Sequence, residues 1–271
     1  MVVLSWPFQF WFVFKATTSF DKILYSSLAM VMVTVATFIA GRFVFSNGSS
    51  SIKESFKNAG WHWGKPKEYI AVIAFALFIW FVPNMIELIF SWHKPVGNIV
   101  IAQVLGAFLL RFVATLIPAF GEEFGWRGYM LPKLALQFGA KKGLLIHAFI
   151  WWFWHLPFVV GMGMKTAAIS TNVFVNVLIL LAITIIPTML HAVIFAFIWS
   201  KTKSLAVVSV YHAAFDEVRD TLENATGFGP LVEIWQMITI IIVGGLLLWK
   251  VNWNIINQNF EDKYSVKNNK R

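Results

Sequence analysis

The chain has 271 residues, of which 58% are hydrophobic and 13% charged, and its mean hydropathy is +0.69. Soluble domains carry about 25% charged residues, so the composition excludes an ordinary soluble protein and indicates a polytopic membrane protein. The net charge of +9 comes from lysines and arginines scattered through loops and tail, a pattern that argues against nucleic acid and for bilayer headgroups and topology. With no cysteine, disulfides, thiolate zinc sites and a cysteine nucleophile are excluded.

Residues 1–22 read as an interfacial or partly inserted N-terminal segment. VVLSWPFQFWFVF is aromatic, short for a span and contains Pro7; the alternative, a signal peptide, lacks its basic start and small-residue cleavage pattern. Residues 23–252 form the bundle. Its spans are expected at 23–45, 69–92, 98–122, 143–161, 172–199 and 230–249, each long enough for a bilayer core of about 30 Å. A short apolar helix over 205–215 cannot span alone; it either continues through Val218 or lies buried. The fold class is therefore all-α: a polytopic transmembrane helical bundle of about seven spans plus the hydrophobic N-terminal segment.

The connections between these spans are polar. Residues 46–68 read as an interfacial loop with His62 exposed in it, and GMGMKT after the fourth span as another loop. Pro83, Asn84 and Glu87 allow a kink with an inward acid, but Glu87 approaching the interface is the favoured reading. Arg127, Lys133, Lys141 and Lys142 mark a basic connection, Asp220 to Gly229 an acidic loop, and 253–271 a polar basic tail. Lysine-rich and lysine-poor loops alternate, which places the rich ones and the C-terminus in the cytoplasm.

Chemistry concentrates on three spans. Glu122 and Glu123 are adjacent acids at the end of an apolar run, where an ionisable side chain costs about 2.5–3.5 kcal/mol on insertion scales and so marks a polar cavity, a partner or a proton-handling task. Arg127 lies four residues after Glu123, on the same helix face, so the two can pair and leave Glu122, about 100° round, free. Trp151 and His155 are also four apart, as are His212 and Asp216. If these faces converge they supply a carboxylate to take a proton from water, an imidazole to orient that water, and a donor for an oxyanion, the parts of peptide hydrolysis. Two histidines and a carboxylate could equally hold zinc with a position left for water, although the His-Glu-x-x-His pattern of common zinc peptidases is missing. His147 and His191 read as interhelical hydrogen-bonders.

Glu122-Glu123-x-x-x-Arg127, Trp151-x-x-x-His155 and His212-x-x-x-Asp216 resemble, in order, the three motifs of the CPBP family of intramembrane proteases, which includes the CAAX prenyl endopeptidases and bacterial Abi-type immunity proteins. The resemblance covers residues 111–216. It implies an integral protein of a prokaryotic plasma membrane with a conical, partly water-filled cavity where the motif helices meet. Glu122 and His155 would activate water, His212 and Asp216 would stabilise the oxyanion, and Glu123 and Arg127 would support them. A metal, if used, would be zinc held by Glu122, His155, His212 and Asp216; a metal-independent route stays open.

Two positions depart from the pattern. Trp151 stands where the motif usually has Phe, a change expected to preserve packing, and Asp216 where it often has Asn. An ionised Asp cannot donate to an oxyanion, so Asp216 would be protonated, orient His212 or bind a metal. The partners implied are a peptide or protein substrate at the membrane and the bilayer itself, with no nucleic acid. Two other functions compete: a non-catalytic immunity or partner-binding protein of the same fold, and a proton-coupled transporter, which the lack of a repeated half weakens.

Overall fold

A computed structural model describes residues 1–43, 59–95, 99–165 and 170–256. Every regular element among them is helical: α1 (Val2–Phe14), α2 (Ser19–Phe43), α3 (Pro66–Ile89), α4 (Ile101–Gly125), a wide π-turn (Trp126–Met130), α5 (Leu131–Phe138), α6 (Ala140–Trp154), α7 (Leu156–Lys165), α8 (Val173–Thr202), α9 (Leu205–Thr226), α10 (Pro230–Lys250) and a 3₁₀ turn (Trp253–Ile256). Most of loop 46–68, including Lys53 and Lys57, and most of the tail lie outside the described residues.

Five of the described helices are long and apolar enough to cross a membrane: Phe20–Ala40, Pro66–Ile89, Ile101–Phe138, Val173–Thr202 and Pro230–Lys250. The α6–α7 pair makes a sixth if its two parts, bent by 44°, count as one broken span. α9, sixth in order of the seven expected, is 22 residues long but carries too many charges to face lipid. It packs instead against α3, α4 and α8. Enclosure of that kind solves the problem a polar helix poses in hydrocarbon, because its acids and histidine meet protein partners rather than acyl chains.

Local chemistry sets the ends of α9. Ser204 Oγ accepts the Val207 N–H at 3.2 Å as an N-cap, and Gly227, at φ 73°, ends the helix in the left-handed region that favours glycine. The acidic loop expected from Asp220 is thus mostly helix, because Thr221, Leu222 and Thr226 continue the buried face. The basic connection after Glu123 is also helical, running through the wide turn and α5. GMGMK closes α7: a Cβ on Gly161 would lie 2.4 Å from Val13 Cγ1, and one on Gly163 2.7 Å from Val177 Cα, so close packing outweighs glycine's low helix propensity.

Glu87, two residues before the end of α3, is turned into the bundle. It is 1% exposed, and its carboxylate accepts the Gly229 N–H (2.8 Å) and the Leu231 N–H (2.7 Å). It therefore caps the start of α10, where free amide donors and the helix dipole favour an anion.

Candidate active site

Glycines bring α4 close to α2. Thr34 Oγ1 donates to the Gly121 carbonyl at 2.6 Å, and a Cβ on Gly125, one turn later, would lie 2.4 Å from Val33 Cγ1. With its small residues turned to α2, this stretch directs Glu122 and Glu123 elsewhere, and both are buried. The wide turn that follows delivers Arg127, which is wholly buried as well.

Glu123 and Arg127 pair as their spacing predicts, Nη1 donating to Oε1 at 2.9 Å. The guanidinium carbon lies between two aromatic faces, 4.6 Å from the Trp151 ring centroid and 4.2 Å from that of Phe195, so stacking supplements the hydrogen bond to Glu123. The same Glu123 oxygen meets His212 Nδ1 at 2.8 Å. His212 Nε2 faces Asp216 Oδ2 at 3.4 Å, and the other Asp216 oxygen faces Arg219 Nη1 at 3.3 Å. Arg219 also donates from Nε to Asp220 Oδ1 at 2.7 Å. Arg219 stands on α9 one turn beyond Asp216, a spacing that could have marked it as a partner.

Glu122 points to another helix. Its Oε1 accepts the Trp151 indole N–H at 3.0 Å. The tryptophan that replaces phenylalanine in the second motif thus does more than preserve packing, because phenylalanine has no donor to offer. The Trp151 carbonyl accepts His155 Nδ1–H at 2.8 Å. That bond fixes the tautomer of a neutral ring and leaves Nε2 with its lone pair and no protein partner among the described residues. His155 stands at the break between α6 and α7 and is half-buried.

The six expected residues therefore lie on α4 and its wide turn, the α6–α7 break, and α9, with His155 linked to Glu122 through Trp151. Two further buried histidines, His191 and His147, stand outside this set. His191 Nε2 lies 3.0 Å from Tyr211 Oη, linking α8 to α9. His147 is fully buried, with its ring centroid 6.0 Å from that of Trp126 and the Trp126 backbone beside it.

Among the described residues, the donors that approach closely enough to share one ion are Glu122, Glu123 and His212, whose ligand atoms lie within 4.8 Å of one another. This is not the expected metal set, since Glu123 takes the place of His155 and Asp216. As arranged His212 does not fit a metal ligand, because both its nitrogens face carboxylates, as in a ring that donates on both sides rather than one presenting a lone pair. Arg127 and His212 share Glu123 Oε1, while Oε2 is buried with no hydrogen-bond partner among the described residues.

A search of curated proteins returned no match. Residues 104–218 match the family described as type II CAAX prenyl endopeptidase Rce1-like. Over that region, which holds all three motifs, the chain is similar to the Rce1-like endopeptidases, and the match supports placing it among the CAAX-type membrane proteases.

Proposed function

We infer that the protein is an intramembrane endopeptidase that hydrolyses a peptide bond of a membrane-associated substrate, of the prenylated CAAX class that the family description names. The observation that carries this reading is the division of labour between adjacent acids. Arg127 and His212 both engage Glu123 through Oε1 and compensate its charge, whereas Glu122 meets a neutral indole, which leaves the Glu122 carboxylate to take a proton.

Water bound between that carboxylate and His155 Nε2 attacks the carbonyl carbon, and its proton passes to Glu122. As the carbonyl oxygen becomes anionic it takes the His212 Nε2–H, drawing it from the long 3.4 Å contact with Asp216. The C–N bond then breaks, and Glu122 returns the proton to the leaving amine. Asp216, paired with Arg219, acts as an acceptor that orients His212 rather than as an oxyanion donor. No step needs a metal; zinc, if bound, would draw on Glu122, Glu123 and His212 after displacing their mutual contacts. The positive-inside pattern supports a site in the cytoplasmic half of the bilayer, with the C-terminus on the same side.

The test is cleavage of a farnesylated CAAX peptide by purified protein in lipid nanodiscs, with metal analysis of the same sample. Glu122→Gln should abolish turnover and His155→Ala should lower kcat by roughly 10²-fold or more. Cleavage by Glu122→Gln at the parent's rate would reject the reading of the site, and no cleavage by the parent would turn attention to a non-catalytic membrane partner.

A further inference from the structure

The short aromatic helix α1 takes no part in the chemistry above, yet it lies across the α6–α7 break that carries His155. An unbroken helix would give the Phe158 N–H to the Trp154 carbonyl, and Pro157 has no N–H to give. In this chain Phe158 and Val159 both donate to the His155 carbonyl, at 3.0 and 3.2 Å. The Trp154 carbonyl accepts instead from outside the span: Trp6 Nε1–H on α1 donates to it at 3.1 Å.

Further contacts fall on both sides of the break. The Trp6 ring lies 5.2 Å from the Phe153 ring on α6, and the Phe12 ring 5.2 Å from the Phe158 ring on α7. Val13, one residue on, fills the space that a side chain at Gly161 would need. Trp154 in turn sets its ring edge-on to His155 with centroids 4.6 Å apart. One rigid helix thus touches the end of α6, the beginning of α7 and the carbonyl between them.

Resting on the peptidase reading, we propose that α1 is a splint for the broken span and that Trp6 is a positioning residue for His155. A carbonyl released by a break inside a bilayer must find a donor or pull the backbone towards one. Trp6 supplies it from a neighbouring helix, so the bend is held at one angle and the His155 ring in one place relative to Glu122. Trp6 touches neither substrate nor reacting atoms; its effect on turnover runs through His155.

Hydrogen exchange in nanodiscs tests the splint without a substrate. Trp6→Phe keeps a ring and removes the donor, and should speed exchange of the Phe158 and Val159 amides by about tenfold while leaving those of α9 unchanged. Gly161→Val, which pushes α1 away from α7, should do the same from the other end. On the farnesylated peptide Trp6→Phe should lower kcat about tenfold with KM unchanged, and should add nothing in a His155→Ala background. Exchange as slow as in the parent in both variants would overturn the splint, and a kcat loss that persists without His155 would overturn the positioning role. Failure of Glu122→Gln to slow cleavage would reject the peptidase reading alone, since the exchange result stands by itself.

Discussion

The indole N–H of Trp151 donates to Glu122 Oε1 at 3.0 Å, and the carbonyl of the same residue accepts His155 Nδ1–H at 2.8 Å. The acid and the imidazole assigned to water activation are therefore positioned by one residue, through its side chain on one side and its backbone on the other. Arg127 lies over the same ring.

Trp151→Phe separates these roles. The aromatic face and the carbonyl remain, so the fold and the His155 tautomer should persist, but Glu122 loses its one donor. A hydrogen bond to a charged group contributes about 1.5–3 kcal/mol, and kcat on a farnesylated peptide should fall about tenfold while thermal unfolding is little changed. A variant as fast as the parent would show that the indole N–H is dispensable.

Arg127→Met should damage stability more than catalysis explains. It leaves Glu123 buried with His212 as its remaining partner, and breaking a buried pair from one side costs about 3–5 kcal/mol. The folded fraction after mild denaturant in detergent should drop sharply. Pairing the change with Glu123→Gln should recover part of the loss, because the uncompensated charge goes with it.

Asp216→Asn should be mild, within about threefold in kcat, since the amide oxygen can still accept from His212 Nε2. Arg219→Met should cost more in the parent than in the Asp216→Asn background, because only the carboxylate needs the arginine. Equal losses in both backgrounds would place Arg219 outside the third motif.

Lys203 gives a pH signature. It ends α8 with its ammonium donating to the Ile255 carbonyl at 2.7 Å, and burial lowers it from the usual lysine value to about 8. Between about pH 8 and the unfolded value of about 10.4, the unfolded chain holds a proton that the folded chain has lost, so stability should rise with pH across that window. Unfolding midpoints at pH 8 and pH 10 should show the increase in the parent and lack it in Lys203→Met.

Features that depend on nearby residues were legible in the sequence. The Glu123–Arg127 pair and the His212–Asp216 contact are four-residue relationships on a helix, and both hold. The bonds that decide the site's character join distant residues. Trp151 reaches Glu122 across 29 positions, Glu87 reaches Gly229 across 142, and Trp6 reaches Trp154 across 148. Glu87 illustrates the limit, for a buried acid beside a proline suggested an interface or a cavity until its partner, the start of another helix, came into place. Helix ends misled for a related reason: charge and glycine suggested loops at Asp220 and Gly161, where burial of the neighbouring face carries the helix onward.

The wide turn at Trp126–Met130 spends one residue more than an α-turn would, which shifts the angular phase of everything after it by about 100°. Upstream, that phase sends Glu122 and Glu123 inward; downstream, it aims Leu131 and Ala135, both fully buried, into the bundle while Leu136 is exposed. A single straight helix could not satisfy both ends. The chain thus uses a local change of pitch as a coupling between two differently oriented apolar faces, and Arg127 occupies the step where one orientation gives way to the other.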